Sequence, residues 1–136
     1  MANSSAQPDS ALNELVGLVV DAAMEVHRRL GPGFLESVYE EALSLELTAR
    51  NIPFHRQVRF AVEYREQPVG EGYVDLLVGE RLVVELKAVE RLAPVHLAQM
   101  ISYLRATANT LGLLINFNER LLVHGLKRVI FTAHKN

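Results

Sequence analysis

Glu85 and Lys87 stand two residues apart in the stretch Arg81-Leu82-Val83-Val84-Glu85-Leu86-Lys87-Ala88. A segment this rich in branched aliphatic residues reads as a strand, and in a strand residues two apart share one face. The Leu82-Val83-Val84 run suggests a central strand covered on both sides. Charges there cost several kcal/mol unless they are paired or bind a metal. Asp75 lies in the preceding apolar stretch, Tyr73-Val74-Asp75-Leu76-Leu77-Val78, and a tight turn at Gly79-Glu80 would fold the two stretches together. Counting outward from that turn pairs Val78 with Arg81 and sets Asp75 opposite Val84. A one-residue bulge or a longer loop brings Asp75 opposite Glu85 instead. Two carboxylates and a lysine so placed suit a divalent cation acting on a phosphodiester. Asp75 and Glu85 offer hard oxygen ligands for Mg2+ or Mn2+, and the backbone carbonyl of Leu86 could add another. The metal would activate a water and stabilise developing charge, with Lys87 orienting or deprotonating that water. By itself, however, a D…ExK pattern is weak and more often marks a structural Glu–Lys pair on an edge strand.

Two further pairs add weight. Gln99 and Tyr103 are four apart on the segment that follows the ExK strand, so on a helix they share a face. Glu36 and Tyr39 are three apart at the start of another helical segment. Taken singly, Gln99 is an ordinary surface amide, Tyr39 and Tyr103 are packing residues, and Glu36 is a first-turn acid favoured by the helix dipole. Of the five histidines, His96 lies one turn before Gln99 and could line the same site. His27, His55, His124 and His134 show no ligand spacing and read as surface or packing residues. Gly31-Pro32-Gly33 lacks the Lys-Ser/Thr of a phosphate loop and reads as a helix break. Arg50, Arg56, Arg59 and Arg65 tint the first strand region basic, more often the mark of a solvated strand face than of a phosphate contact.

The elements that must carry these groups follow from periodicity. Leu12, Leu15, Val16, Val19, Ala23, Val26 and Leu30 recur at steps of three and four and predict a helix over 11–30. A second helix is predicted from Leu35 to Arg50, ended by Asn51 and Pro53. The period then changes to two: Val58, Phe60, Val62 and Tyr64 alternate with Arg59, Ala61, Glu63 and Arg65, predicting a half-buried strand over 55–65. Glu66-Gln67-Pro68 with Gly70 reads as a turn, followed by strands over 72–78 and 81–88. Pro94 opens a third helix to about Asn109. Leu111–Phe117 is an apolar strand, and 121–131 holds one or two more. The order ααβββαββ implies an α/β (α+β) sandwich, a mixed central sheet flanked by helices.

Length and composition bound the function. A chain of 136 residues with 49% apolar and 22% charged residues is one ordinary globular domain. That domain is expected over 11–136, after a polar lead-in at 1–10 that reads as disordered. No apolar run reaches the roughly 18 residues of a membrane span. The absence of cysteine excludes disulfides, zinc–thiolate sites and thiol nucleophiles, and together these features point to the cytoplasm. A net charge of −2 argues against a large nucleic-acid footprint but leaves room for a local basic patch.

Gly33-Phe34-Leu35-Glu36-Ser37-Val38-Tyr39 resembles the G-x-x-E-x-x-Y signature of the GxxExxY protein family, which is grouped with the PD-(D/E)XK nuclease superfamily. The resemblance extends over most of residues 11–130, through LGPGFLESVYEEAL, VDLLVGERLVVELKAVE, HLAQMISYL and GLLINF. It implies a restriction-endonuclease-like core. By the same resemblance Asp75 is the motif aspartate, Glu85 and Lys87 are the (D/E)xK pair, and Glu36 is the early-helix acid near the metal. Gln99 and Tyr103 resemble the QxxxY motif that one nuclease branch uses at its site, and Tyr39 would join them in holding substrate. Val74 stands where the motif has its proline. The implied function is Mg2+- or Mn2+-dependent hydrolysis of DNA or RNA, with a homodimer left open. A nuclease-like fold that binds nucleic acid or protein without turnover, or serves as a subunit of a larger system, is the alternative.

Overall fold

The computed structural model describes residues 8–132 of the chain. Its order is α1 (Ser10–Leu30), α2 (Glu36–Ala49), β1 (Phe54–Tyr64), β2 (Gln67–Val78), β3 (Leu82–Lys87), α3 (Pro94–Thr107), β4 (Leu111–Asn116), a short 3-10 turn (Leu122–Gly125) and β5 (Leu126–Ile130). The five strands form one sheet in sequence order. The β3–β4 pair is parallel and the others are antiparallel. The mixed sheet and the order ααβββαββ therefore match the sequence reading, with a single strand after β4.

Two apolar clusters place the layers. The inner stripe of α1, including Leu12, Val16, Val19 and Ala23, packs with Leu43 and Leu47 of α2 onto Leu76, Val84, Leu86 and Leu113. On the opposite face Met100 and Leu104 of α3 cover Phe60, Val74, Val83 and Leu114. The sheet thus lies between two helices on one side and one on the other. β3 and β4 are covered on both faces, which is why they read as continuous apolar runs.

Three boundaries differ from those expected. The first helix begins at Ser10, because Asp9 caps it by accepting the Leu12 N–H at 2.8 Å; residues 1–7 of the expected lead-in lie outside the described residues. Second, β2 starts five residues early. The chain reverses at Arg65 and Glu66, whose φ of 51° and 64° make a tight hairpin turn without the usual Gly or Asn. Residues 68–71, expected as turn, therefore pair with β1, and Pro68 is tolerated beside the register shift at Val62/Glu63. Because β3 pairs only with Leu76–Val78, the rest of β2 forms a two-stranded ribbon with β1. Val62, Tyr64 and Val69 on that ribbon are exposed.

The third difference sets the register. Val78 pairs with Leu82, leaving a three-residue turn, Gly79-Glu80-Arg81. Gly79 is needed twice over: its φ is +60°, and an added Cβ would lie 2.7 Å from Leu15 of α1. Continuing the ladder sets Asp75 opposite Glu85, the arrangement that a longer loop was expected to give.

Asn116, fully buried at the end of β4, ties the chain leaving β3 to its neighbour. Its Oδ1 accepts from Val89 N at 3.0 Å and its Nδ2 donates to Val89 O at 2.9 Å. Asn116→Ala should lower the unfolding free energy by about 2 kcal/mol, since it strands both backbone groups. Urea denaturation measures this, and an unchanged midpoint would remove Asn116 from the framework of the β3–α3 connection.

Candidate active site

Beyond Leu76 and Val84 the β2–β3 ladder is completed by side chains. The Asp75 N–H donates to Glu85 Oε2 at 2.7 Å, and the Leu86 N–H donates to Asp75 Oδ2 at 2.8 Å. Each carboxylate thus takes a backbone donor of the opposite strand. The Leu86 carbonyl lies on the same side of β3 as its N–H, because both groups of a strand residue point one way.

The strand on the other side of β2 opens at the same level. The β1–β2 register runs through Arg56↔Leu76 and Val58↔Val74 but skips Gln57 and Asp75. Phe54, Leu76 and Val78 join the cluster under α1 and α2, whereas Val58, Phe60 and Val74 join the cluster under α3. Both strands therefore exchange faces here. Gln57 absorbs the change with a φ of 50°, an uncommon conformation for a residue with a side chain. Its Nε2 then donates to Asp75 Oδ1 at 3.3 Å and to Glu40 Oε1 of α2 at 2.9 Å. Arg56 secures that end by pairing with Glu40 and Glu41, each at 3.1 Å.

From the α3 side, Gln99 Oε1 accepts from Lys87 Nζ at 2.8 Å. Among the described residues Lys87 forms no ion pair with a carboxylate. Tyr103 follows Gln99 by one turn of α3 and stands on the same helix face. Thus Asp75, Glu85, Lys87, Gln99 and Tyr103 come together where helices on both faces reach one level of the sheet. Glu36, in the first turn of α2, stands at its margin.

Among the described residues, the carboxyl groups with raised pKa values gather here. Glu85 is 4% exposed, and its pKa is pushed up to about 8, first by burial and next by Asp75. The Asp75 pKa is also raised by burial, against the lowering effect of the Leu86 N–H. Partial desolvation followed by Asp75 raises Glu36, although the residue has substantial exposed surface. Tyr103 is raised by burial and then by Glu85 and Asp75.

Some expected roles change. Tyr39, expected to touch substrate, is fully buried; its hydroxyl donates to Gly31 O at 2.5 Å and accepts from Phe34 N at 3.1 Å, while its ring stacks on Phe117 at 4.6 Å. It fixes the loop that leads into Glu36 and has no surface to offer a ligand. His96 accepts the Ala93 N–H on Nδ1 at 2.9 Å and so caps α3 rather than lining the site. Among the described residues no three His, Asp or Glu side chains form a set that could hold an ion, so Glu36 does not complete a carboxylate cage. The pair Asp75 and Glu85 still fits Mg2+, which is commonly held by one or two carboxylates and keeps several waters. Glu40 and Gln57 were missed: an acid on a helix surface and a glutamine in a strand carry no distinguishing sequence signal.

The family model described as PD-(D/E)XK nuclease superfamily matches residues 13–129, nearly the whole described chain. No curated protein matches the sequence.

Because the buried Glu85 carboxyl holds its proton far above the ordinary carboxyl value of 4.5, the folded chain binds more protons than the unfolded one between that value and about 8. This contribution to stability is present at acidic pH and is lost as pH rises through that window. Glu85→Gln keeps an acceptor for the Asp75 N–H without the charge. In chelator it should melt above wild type at pH 8, with the gap closing by pH 5. Parallel melting curves across that range would overturn the assignment of a strained carboxylate.

Proposed function

The chain belongs to the PD-(D/E)XK nuclease superfamily, and from that premise we propose that it is a divalent-metal-dependent nuclease, hydrolysing phosphodiester bonds of DNA or RNA in the cytoplasm. Members of the superfamily generally use divalent metals. The observation that carries the reading is the insertion of Asp75 and Glu85 into the β2–β3 ladder, with Lys87 held beside them by Gln99 instead of paired to either.

Asp75, Glu85 and the Leu86 carbonyl would hold Mg2+ or Mn2+, which when bound supplies activation of water and neutralisation of phosphate charge. Lys87, fixed by Gln99, orients the attacking water or moves its proton. Gln57 and Glu40 keep Asp75 in the gap, and Glu36 and Tyr103 complete the wall on either side. Glu85 must lose its proton to act as a ligand, so proton and metal compete. Apparent metal affinity should therefore rise with pH up to about 8, which titration calorimetry at several pH values would register.

Single- and double-stranded DNA and RNA would be incubated with the protein in Mg2+, Mn2+ or chelator. Asp75→Ala and Glu85→Ala should lose both metal binding and cleavage. Lys87→Ala should retain the metal and slow cleavage by about 10²- to 10⁴-fold, the usual contribution of a positioned acid or base. Gln99→Ala and Tyr103→Phe should have milder effects. Cleavage that survives Asp75→Ala and Glu85→Ala together would refute these roles. A wild type that cuts nothing yet binds nucleic acid in a salt-dependent way would favour a binding module.

A further inference from the structure

Beside the carboxylates, a groove of about 860 Å3 opens between the β1–β2 ribbon and the solvent side of α3. Its floor is apolar and includes Phe60 and Val62. That floor depends on Gly72, where an added Cβ would sit 2.4 Å from the Phe60 ring. Tyr103 meets Phe60 edge-on, with ring centres 4.8 Å apart, and belongs to groove and carboxylate site alike. Gln99, one turn before Tyr103 on the same face of α3, bonds Lys87, so the Tyr103 side of the groove and the Lys87 side of the carboxylate site are neighbours along one helix face. Its charged lining is Arg59 and Arg105 against Glu63, two positive to one negative and so net +1, in a chain whose net charge is −2. Arg59 also pairs with Glu71, while Arg105 lies over the Phe131 ring.

We propose that this groove holds an unpaired stretch of the nucleic-acid strand on its way to the carboxylates, which makes single-stranded nucleic acid the preferred substrate. The proposal rests on the nuclease reading of the neighbouring site. Pockets of about 300–1,000 Å3 take ligands the size of a small organic molecule, the scale of one or two nucleotides rather than of a duplex. Aromatic and apolar floors beside arginines are how proteins hold single strands without reading sequence, because every unstacked base offers a face. A duplex keeps those faces stacked inside itself and would meet only the two arginines.

The test is binding in chelator, followed by fluorescence anisotropy with a labelled mixed-sequence oligonucleotide and with the same oligonucleotide annealed to its complement. Ala106→Trp fills the groove from the exposed surface of α3, and Arg105→Glu reverses a charge there; both positions line the groove and are solvent-facing. The single strand should bind at least about tenfold more tightly than the duplex, and each variant should weaken single-strand binding by about tenfold. Melting curves on the same samples establish that both variants are folded. Equal affinity for the duplex, or variants that bind the single strand like wild type, would overturn the proposal. Binding here needs no hydrolysis, so the two readings fail separately. A protein that binds the strand through the groove but cuts nothing in Mg2+ loses the nuclease assignment alone. One that cuts in Mg2+ while ignoring both variants loses the groove alone.

Discussion

Two carboxylates occupy places in the β2–β3 ladder that backbone groups would otherwise fill. Asp75 accepts from the Leu86 N–H, Glu85 accepts from the Asp75 N–H, and the strands are held together across the gap by these side chains. The arrangement satisfies buried donors, as a buried sheet requires. It also forces two like charges into one poorly solvated space. The raised pKa of Glu85 is the direct result. Most of the surrounding architecture serves to make that placement possible: the three-residue turn that sets the register, the coverage of β3 on both faces, and the loss of pairing at Gln57.

The face exchange at Gln57 and Asp75 explains how helices from opposite sides serve one site. In a regular strand every second residue belongs to the same face, so a side chain is available to one helical layer only. Here the phase slips in both strands at one level. Asp75 consequently meets Gln57 and, through it, Glu40 of α2, while Glu85 and Lys87 lie on the face that Gln99 and Tyr103 of α3 approach. A non-glycine residue with a φ of 50° persists only when its surroundings hold it there, and the two carboxylates bonded to the Gln57 amide are what hold it.

Periodicity made the layers legible. The spacing of Glu85 and Lys87 on an aliphatic run pointed to the buried cluster that the fold assembles around Asp75, and the i, i+4 pair Gln99 and Tyr103 pointed to the face of α3 that turns towards it. Register was not legible, because two- and three-residue turns both suit Gly79-Glu80 and differ in which residue faces Glu85. The ribbon escaped notice for a related reason: Arg65 and Glu66 adopt positive φ without glycine or asparagine to announce it. Tyr39 shares a motif with Glu36, yet motif membership does not distinguish a residue that touches ligand from one that holds the loop beside it, as the buried Tyr39 does. Gln57 was invisible in principle, since its role comes from a backbone conformation that nothing in the neighbouring sequence requires.

An ordinary Glu–Lys pair accounts poorly for this geometry. If Lys87 served only to neutralise a buried Glu85, direct contact would be the arrangement of lowest cost, because attraction at close range is what offsets desolvation of both charges. Instead an uncharged amide, Gln99, holds the ammonium, and Glu85 keeps its raised pKa despite the nearby positive charge. A cluster of carboxyl groups whose pKa values stay raised although Lys87 acts to lower them is the condition in which an incoming cation gains most, since it relieves the repulsion on binding. Gln99 accepts from the Lys87 ammonium at 2.8 Å, and among the described residues that ammonium forms no ion pair with a carboxylate, which is the arrangement on which its proposed role at a phosphate and a water rests.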